Sequence, residues 1–274
     1  MNTILHKAAT RGHADHGWLE SYQSFSFADY YNPERIQFGT LRVLNDDRVD
    51  GGKGFGSHPH DNMEIISIPL EGSLVHEDNM GNRRVVSKGE VQVMSTGSGV
   101  FHSEYNNSPG QPAKFLQIWV FPNRLNVMPR YDQVNRDPAM EHNQLQTIIS
   151  PMPPEPPEPP EPPAGNPLPM SSAPDRSPDP AGSSSLTAPG TWIYQDAWFS
   201  IGHFDNGKTV TYQRHQPGNG IYVFVISGSF QIGDQLLSAR DGLGITDGET
   251  ITATAVDKDP EILILEVPMQ NTIQ

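Results

Sequence analysis

The sequence predicts an all-β protein made of two tandem sandwich or barrel domains with few short helices. Three observations carry this. Short apolar runs recur between Gly, Asn, Asp and Pro clusters, no long segment repeats with the helical period, and a proline-rich stretch divides the 274 residues into blocks of about 150 and about 85. Many short strands at turn-sized spacing are the signature of a sandwich or barrel.

In the first block the strands expected are Thr40–Asn45 (TLRVLN), Met63–Leu70 (MEIISIPL), Val91–Ser95 (VQVMS) and Phe115–Phe121 (FLQIWVF). In the second they are Thr209–Gln213, Ile221–Ile226, Ser229–Ile232, Leu243–Thr246, Thr250–Ala255 and Ile262–Val267. Asn79-Met80-Gly81-Asn82 and Ile232-Gly233-Asp234 read as hairpin tips. The helical candidates are short and fall near Tyr131–Gln144.

Of the 26 prolines, 15 lie between Pro151 and Pro189. Repeated Pro-Pro-Glu cannot donate ladder hydrogen bonds and holds φ near the polyproline II value, and the Ser/Pro-rich part that follows has too little apolar surface to fold. Residues 151–189 are therefore expected to form a disordered linker, with 1–135 as one domain, 136–150 as a connecting segment with a short helix, and 190–274 as the second domain. A proline-recognition partner is the other reading of this stretch.

The chain carries 18 Lys and Arg against 32 Asp and Glu, a net charge of −14 with His neutral. That balance opposes a sequence-independent grip on nucleic acid or anionic lipid. The absence of cysteine removes disulfides, thiolate nucleophiles and zinc–thiolate sites, so a metal must sit on His, Asp or Glu. No apolar run approaches a membrane span, and the expected location is the cytoplasm.

The informative stretch runs from Gly54 to Tyr105. GFGSHPHDNME places His58 and His60 two apart, on one face of a strand. His102 follows His60 by 42 residues in GSGVFHSEY, again with a partner two residues on, Glu104. In a barrel that separation spans about three strands, enough to bring the second pair opposite the first. Three neutral imidazoles and a carboxylate would hold a divalent ion and leave one or two coordination positions open, as catalytic sites do. Gly54, Gly56, Gly72, Gly89, Gly97 and Gly99 flank these runs as expected tight turns or close approaches.

HPHDNMEIISIPLEG, HEDNMGN and GEVQVMSTGSGVFHSEY resemble the metal-binding domain of the pirin family in the cupin superfamily, as do the upstream RGHADHGWLESYQSFSFADYY and LRVLNDD and the downstream LQIWVFP and PRY. The likeness is strongest to bacterial pirin-like quercetin 2,3-dioxygenases. It implies a bicupin in which His58, His60, His102 and Glu104 hold one ion, usually iron(II), although His and carboxylate also accept Zn, Ni, Mn, Co or Cu. It further implies that a flavonol and O2 meet at this centre, that Glu104 is both ligand and general base, and that ring cleavage loses carbon monoxide. Glu64 falls where many other cupins take a carboxylate ligand; here it is expected to be supporting or structural. The linker stands where the family has a short connection, which puts the packing between domains in question.

Laying Gly228 on Gly72 puts Arg214 and Gln216 at the positions of His58 and His60. Laying Gly242 on Gly89 puts Ala255 and Asp257 at those of His102 and Glu104. The second domain is thus expected to be a metal-free copy. Among other residues, His13 and His16 are expected on a surface segment, with a place at the pocket mouth as the other reading, and His76 with Asp78 either supports the site or sits in a solvated turn. Met94, Phe101, Gln117 and Trp119 are expected to pack in the core. Pirin relatives also act as metal-dependent partners of transcription factors, so a non-enzymatic, redox-sensing regulator is the alternative function. Sugar isomerisation is disfavoured because no basic cluster accompanies the ligands, Arg83 and Arg84 lying at a hairpin tip.

Overall fold

The computed structural model describes residues 2–153 and 190–273; most of the proline-rich linker, 154–189, lies outside the described residues. Each domain sets a seven-stranded antiparallel-rich sheet against a four-stranded one. In the first domain the large sheet runs Arg130–Asn135, Glu90–Ser95, Glu64–Glu71, Ala113–Val120, Leu41–Val49, Leu19–Gln23, Gly12–Asp15. Facing it are Gly54–His60, Val100–Asn106, Ser73–Asp78 and Arg83–Ser87, in that order. The second domain repeats the plan, with Asn219–Ser227 and Glu261–Pro268 at the heart of its large sheet and Thr209–Gln213, Thr250–Ala255, Ser229–Ile232 and Gln235–Ser238 in the small one.

The expected strands are present, extended by one to four residues at their ends in several cases, and both expected tips connect hairpins. The helical candidate reduces to one turn, Pro138–Glu141, which Asp137 caps by accepting from the Ala139 N–H; Arg130–Asn135 before it is a strand. Two segments join the sheet of the second domain despite lying before the linker. Thr3–His6 pairs with Gly242–Ile245, and Gln146–Pro151 pairs with Trp198–His203. A strand joins whichever edge offers unpaired backbone groups, and chain position does not reveal that edge.

Continuous apolar runs such as MEIISIPL and IYVFVI follow from burial on both sheet faces. The two large sheets stack back to back, and their outer faces make one core: Leu44, Ile66, Ile68, Leu116 and Ile118 from the first domain against Ile149, Phe199, Tyr222, Phe224 and Leu265 from the second. The domains are therefore firmly packed, which answers the question raised by the linker. The interiors of the two domains differ sharply. The second is filled with aliphatic side chains, among them Val223, Val225, Ile251, Ile262 and Ile264. The first alternates these with Asn45, Asp47, Ser67, Gln92 and Gln117, all drawn from the inward face of its large sheet. No helix among the described residues is long and apolar enough to cross a membrane.

Candidate metal centre

Period-two alternation on Gly54–His60 aims His58 and His60 inward together. Val100–Asn106 runs antiparallel beside it and sets His102 directly across from His58. On that strand Phe101 and Tyr105 point outward, while His102 and Glu104 are buried. A register shift between His102 and Glu104 re-aims the carboxylate along the strand. Gly54 is required here, because a Cβ at that position would lie 2.2 Å from the Glu104 carbonyl oxygen. A Cβ at Gly97, at φ +45° before the second pair, would likewise collide with the Val127 carbonyl oxygen.

The three imidazoles converge. Ring centroids are 4.4 Å apart for His58 and His102, 4.8 Å for His58 and His60, and 5.1 Å for His60 and His102. One nitrogen from each falls within 4.8 Å of the others. Burial, with the neighbouring His58 adding to it, lowers the His60 imidazolium to about 4 and that of His102 to about 2. Both rings are thus neutral at physiological pH, with lone pairs free for a Lewis acid. His58 donates Nδ1–H to the Gly56 carbonyl at 2.7 Å, leaving Nε2 as its free lone pair. His102 is 2% exposed and neither ring nitrogen has a hydrogen-bond partner. A buried imidazole without partners is costly unless something accepts its lone pair, and a divalent ion shared with His58 and His60 would do so for His102.

Glu104 does not belong to that histidine trio; it shares His102 with a second group, His76–His102–Glu104, whose ligand atoms also lie within 4.8 Å of one another. Its carboxylate is seated from the facing sheet. Gln117 donates to Oε2 at 2.8 Å, and Ser67 and Gln92 donate to Oε1 at 3.2 and 3.3 Å. His76 is fully buried against Asp78 at 2.9 Å and stacks near Tyr131, so it backs the centre and does not sit in a solvated turn. Glu64 points to the opposite face of its sheet, where it accepts from Ser95 Oγ at 2.7 Å and from the backbone N–H of Tyr194. It supports the joint between domains, away from the imidazoles.

A cavity of about 240 Å³ opens in front of the histidines. Its apolar wall includes Leu19, Phe27, Phe55, Ile65 and Trp119, and Ser21, Asn45 and Asp47 line it as well. Trp119 meets His60 edge-on at 4.9 Å and Phe27 at 5.3 Å. Gln117 is therefore a cavity residue and Phe101 is 54% exposed, both contrary to the core expectation; Met94 packs as expected, and Trp119 packs against its cluster with Ile65 and Val100 while also lining the cavity. His13 and His16 line an adjoining hollow that shares Leu19, Ser21 and Phe27 with the cavity. The strand patterns held a signal for the missed residues: VQV, LQI and ISI each carry a polar residue inside an apolar triad, where an inward strand position needs a partner.

In the second domain the buried Glu266 is saturated by protein donors: Tyr212 Oη, the His215 and Gln216 N–H groups and Asn219 Nδ2, at 2.9–3.0 Å. Both groups of potential ligands among the described residues lie in the first domain.

An all-β chain of two stacked cupin-type domains, one hollow with converging imidazoles and one filled, is a bicupin whose candidate metal centre, among the described residues, lies in the first domain. Residues 5–120 match the family model Pirin, and residues 178–267 match that of the quercetinase C-terminal cupin domain. The quercetin 2,3-dioxygenase of Escherichia coli K12 is 35% identical over 96% of this chain and 98% of its own. A pirin-like protein of Caulobacter vibrioides is 33% identical over 93% and 95%. The crystal structure of bacterial pirin YhhW from Escherichia coli in complex with nickel(II) superposes with a TM-score of 0.78 at 34% identity, covering 97% of this chain and 99% of that one. The chain belongs to the pirin family, and its centre is one for a divalent metal.

Proposed function

We propose that His58, His60, His102 and Glu104 hold one divalent ion, iron(II) in the cell, and that the protein is an oxidoreductase that cleaves a quercetin-type flavonol with O2. The observation that carries this is the convergence of three imidazoles, one nitrogen from each within 4.8 Å of the others, on a cavity walled largely by apolar and aromatic side chains. The relatives named quercetin 2,3-dioxygenase support the reaction class, and the nickel-bound relative supports the metal. A bound divalent ion supplies Lewis acidity toward the 3-hydroxyl and 4-carbonyl oxygens of the flavonol.

The chain's own residues do the rest. Glu104 accepts the 3-hydroxyl proton; its carboxylate is already oriented by Gln117, Gln92 and Ser67, so no reorganisation is needed when the proton arrives. Trp119, Phe27 and Phe55 present flat or apolar surface to the aromatic rings and exclude water from the cavity. His76, held by Asp78, packs behind His102 and stops the ring from turning away.

Protein loaded with iron(II) without oxygen, then mixed with quercetin in air, should consume O2 and bleach the flavonol band, and His60→Ala should do neither. A variant that matches wild type would overturn the site; a wild type that binds metal but leaves quercetin untouched would favour the regulatory reading. Metal analysis of protein from its own host tests the choice of iron.

A further inference from the structure

Direct cross-strand partners on the inner face of the first domain's large sheet form a single lateral row: Gln23, Asn45, Gln117, Ser67, Gln92 and Gln133. In the neighbouring row Ser21 lies directly across from Asp47. The row is divided by use. Gln117, Ser67 and Gln92 spend their donors on Glu104. At the other end Asn45 and Asp47 are 3% and 5% exposed and line the cavity, yet Asn45 Oδ1 and Asp47 Oδ1 have no hydrogen-bond partner. Gln23 Oε1, lining the adjoining hollow, is in the same position. Ser21 bonds to the Asp47 carboxyl group and so uses only part of its capacity.

Buried oxygens are rarely left without donors, and apolar walls such as Leu19, Phe55 and Ile65 cannot provide them. What is missing is a donor brought by the ligand. We propose that Asn45 and Asp47 form the specificity wall of the pocket, accepting hydrogen bonds from ring hydroxyls of an aromatic ligand away from the oxygen pair that faces the histidines. This rests on the flavonol reading above and deepens it: the substrate class is the polyhydroxylated flavonols. The apolar wall gains nothing from a hydroxyl, whereas a site built to bond one discriminates strongly against the analogue that lacks it.

The test is calorimetric titration of the nickel-loaded protein, without oxygen, with quercetin and with 3-hydroxyflavone. The two share the chelating oxygen pair and differ in the other hydroxyls. Wild type should bind quercetin about tenfold tighter or more. In Asp47→Leu that ratio should fall to about threefold or less, and Asp47→Asn, which keeps one acceptor oxygen, should fall between. Nickel stoichiometry reports that the centre survives; should the leucine variant lose nickel, the asparagine variant decides. A ratio unchanged by either variant, or a wild type that does not discriminate, overturns the proposal. Quercetin turnover by wild type with an unchanged ratio sinks this inference alone, while a wild type that neither binds nor turns over either flavonol sinks the proposed function and this with it.

Discussion

Glu64 makes the stability of this protein depend on pH in a calculable way. Its carboxyl is 1% exposed, and burial raises it from the ordinary 4.5 to about 7, despite bonds from Ser95 and the Tyr194 N–H and the nearby charge of Arg130. The folded protein therefore keeps a proton that the unfolded chain releases between about pH 4.5 and 7. The stabilisation is complete below 4.5 and is lost as pH rises through 7; the gap corresponds to about 3 kcal/mol. Burial raises Asp47 from 3.8 to about 7 as well, so wild type alone would report both groups. Glu64→Gln removes only the first. Urea denaturation at pH 4 and pH 8 should show the variant gaining about 3 kcal/mol on wild type between the two. A constant difference, or one that shrinks as pH rises, would refute the assignment of a buried, proton-retaining carboxyl at the joint where Tyr194 meets the first domain.

Gln117→Leu withdraws the shortest of the three bonds to Glu104, so thermal unfolding should show a loss of about 1–3 kcal/mol, and nickel affinity should fall about tenfold or more. Gly54→Ala drives a methyl group into the Glu104 carbonyl oxygen; separating the two strands that carry the histidines should cost about 1–3 kcal/mol and lower nickel affinity, measured by competition with a chelator. Glu266→Ala strands the donors of Tyr212, Asn219 and His215 in the second domain. It should destabilise the protein by about 3 kcal/mol or more while nickel stoichiometry stays at the wild-type value.

Much of the fold was legible because its signals are local. Alternation and turn residues mark strands within windows of a few residues, and the even spacing of such windows separates a β-sandwich from other classes. The same locality made the histidines readable: His58 and His60 share a face wherever their strand is placed. The long apolar runs pointed to strands but not to what covers them. That both faces of the large sheets are buried, one against the other domain, required the packing of Leu44, Ile66 and Leu116 on Ile149, Phe199 and Leu265.

The sequence by itself determined which side chains share a strand face and which domain carries the paired histidines, since these depend on period and residue type alone. Only the tertiary structure decided what each polar group is offered. It turned Glu64 toward Tyr194 and away from the histidines, buried His76 behind His102, gave Glu104 three donors, and left Asn45 and Asp47 with oxygens facing the cavity. Those outcomes depend on strand register and on which sheet faces which, and both are settled by contacts between residues far apart in the chain.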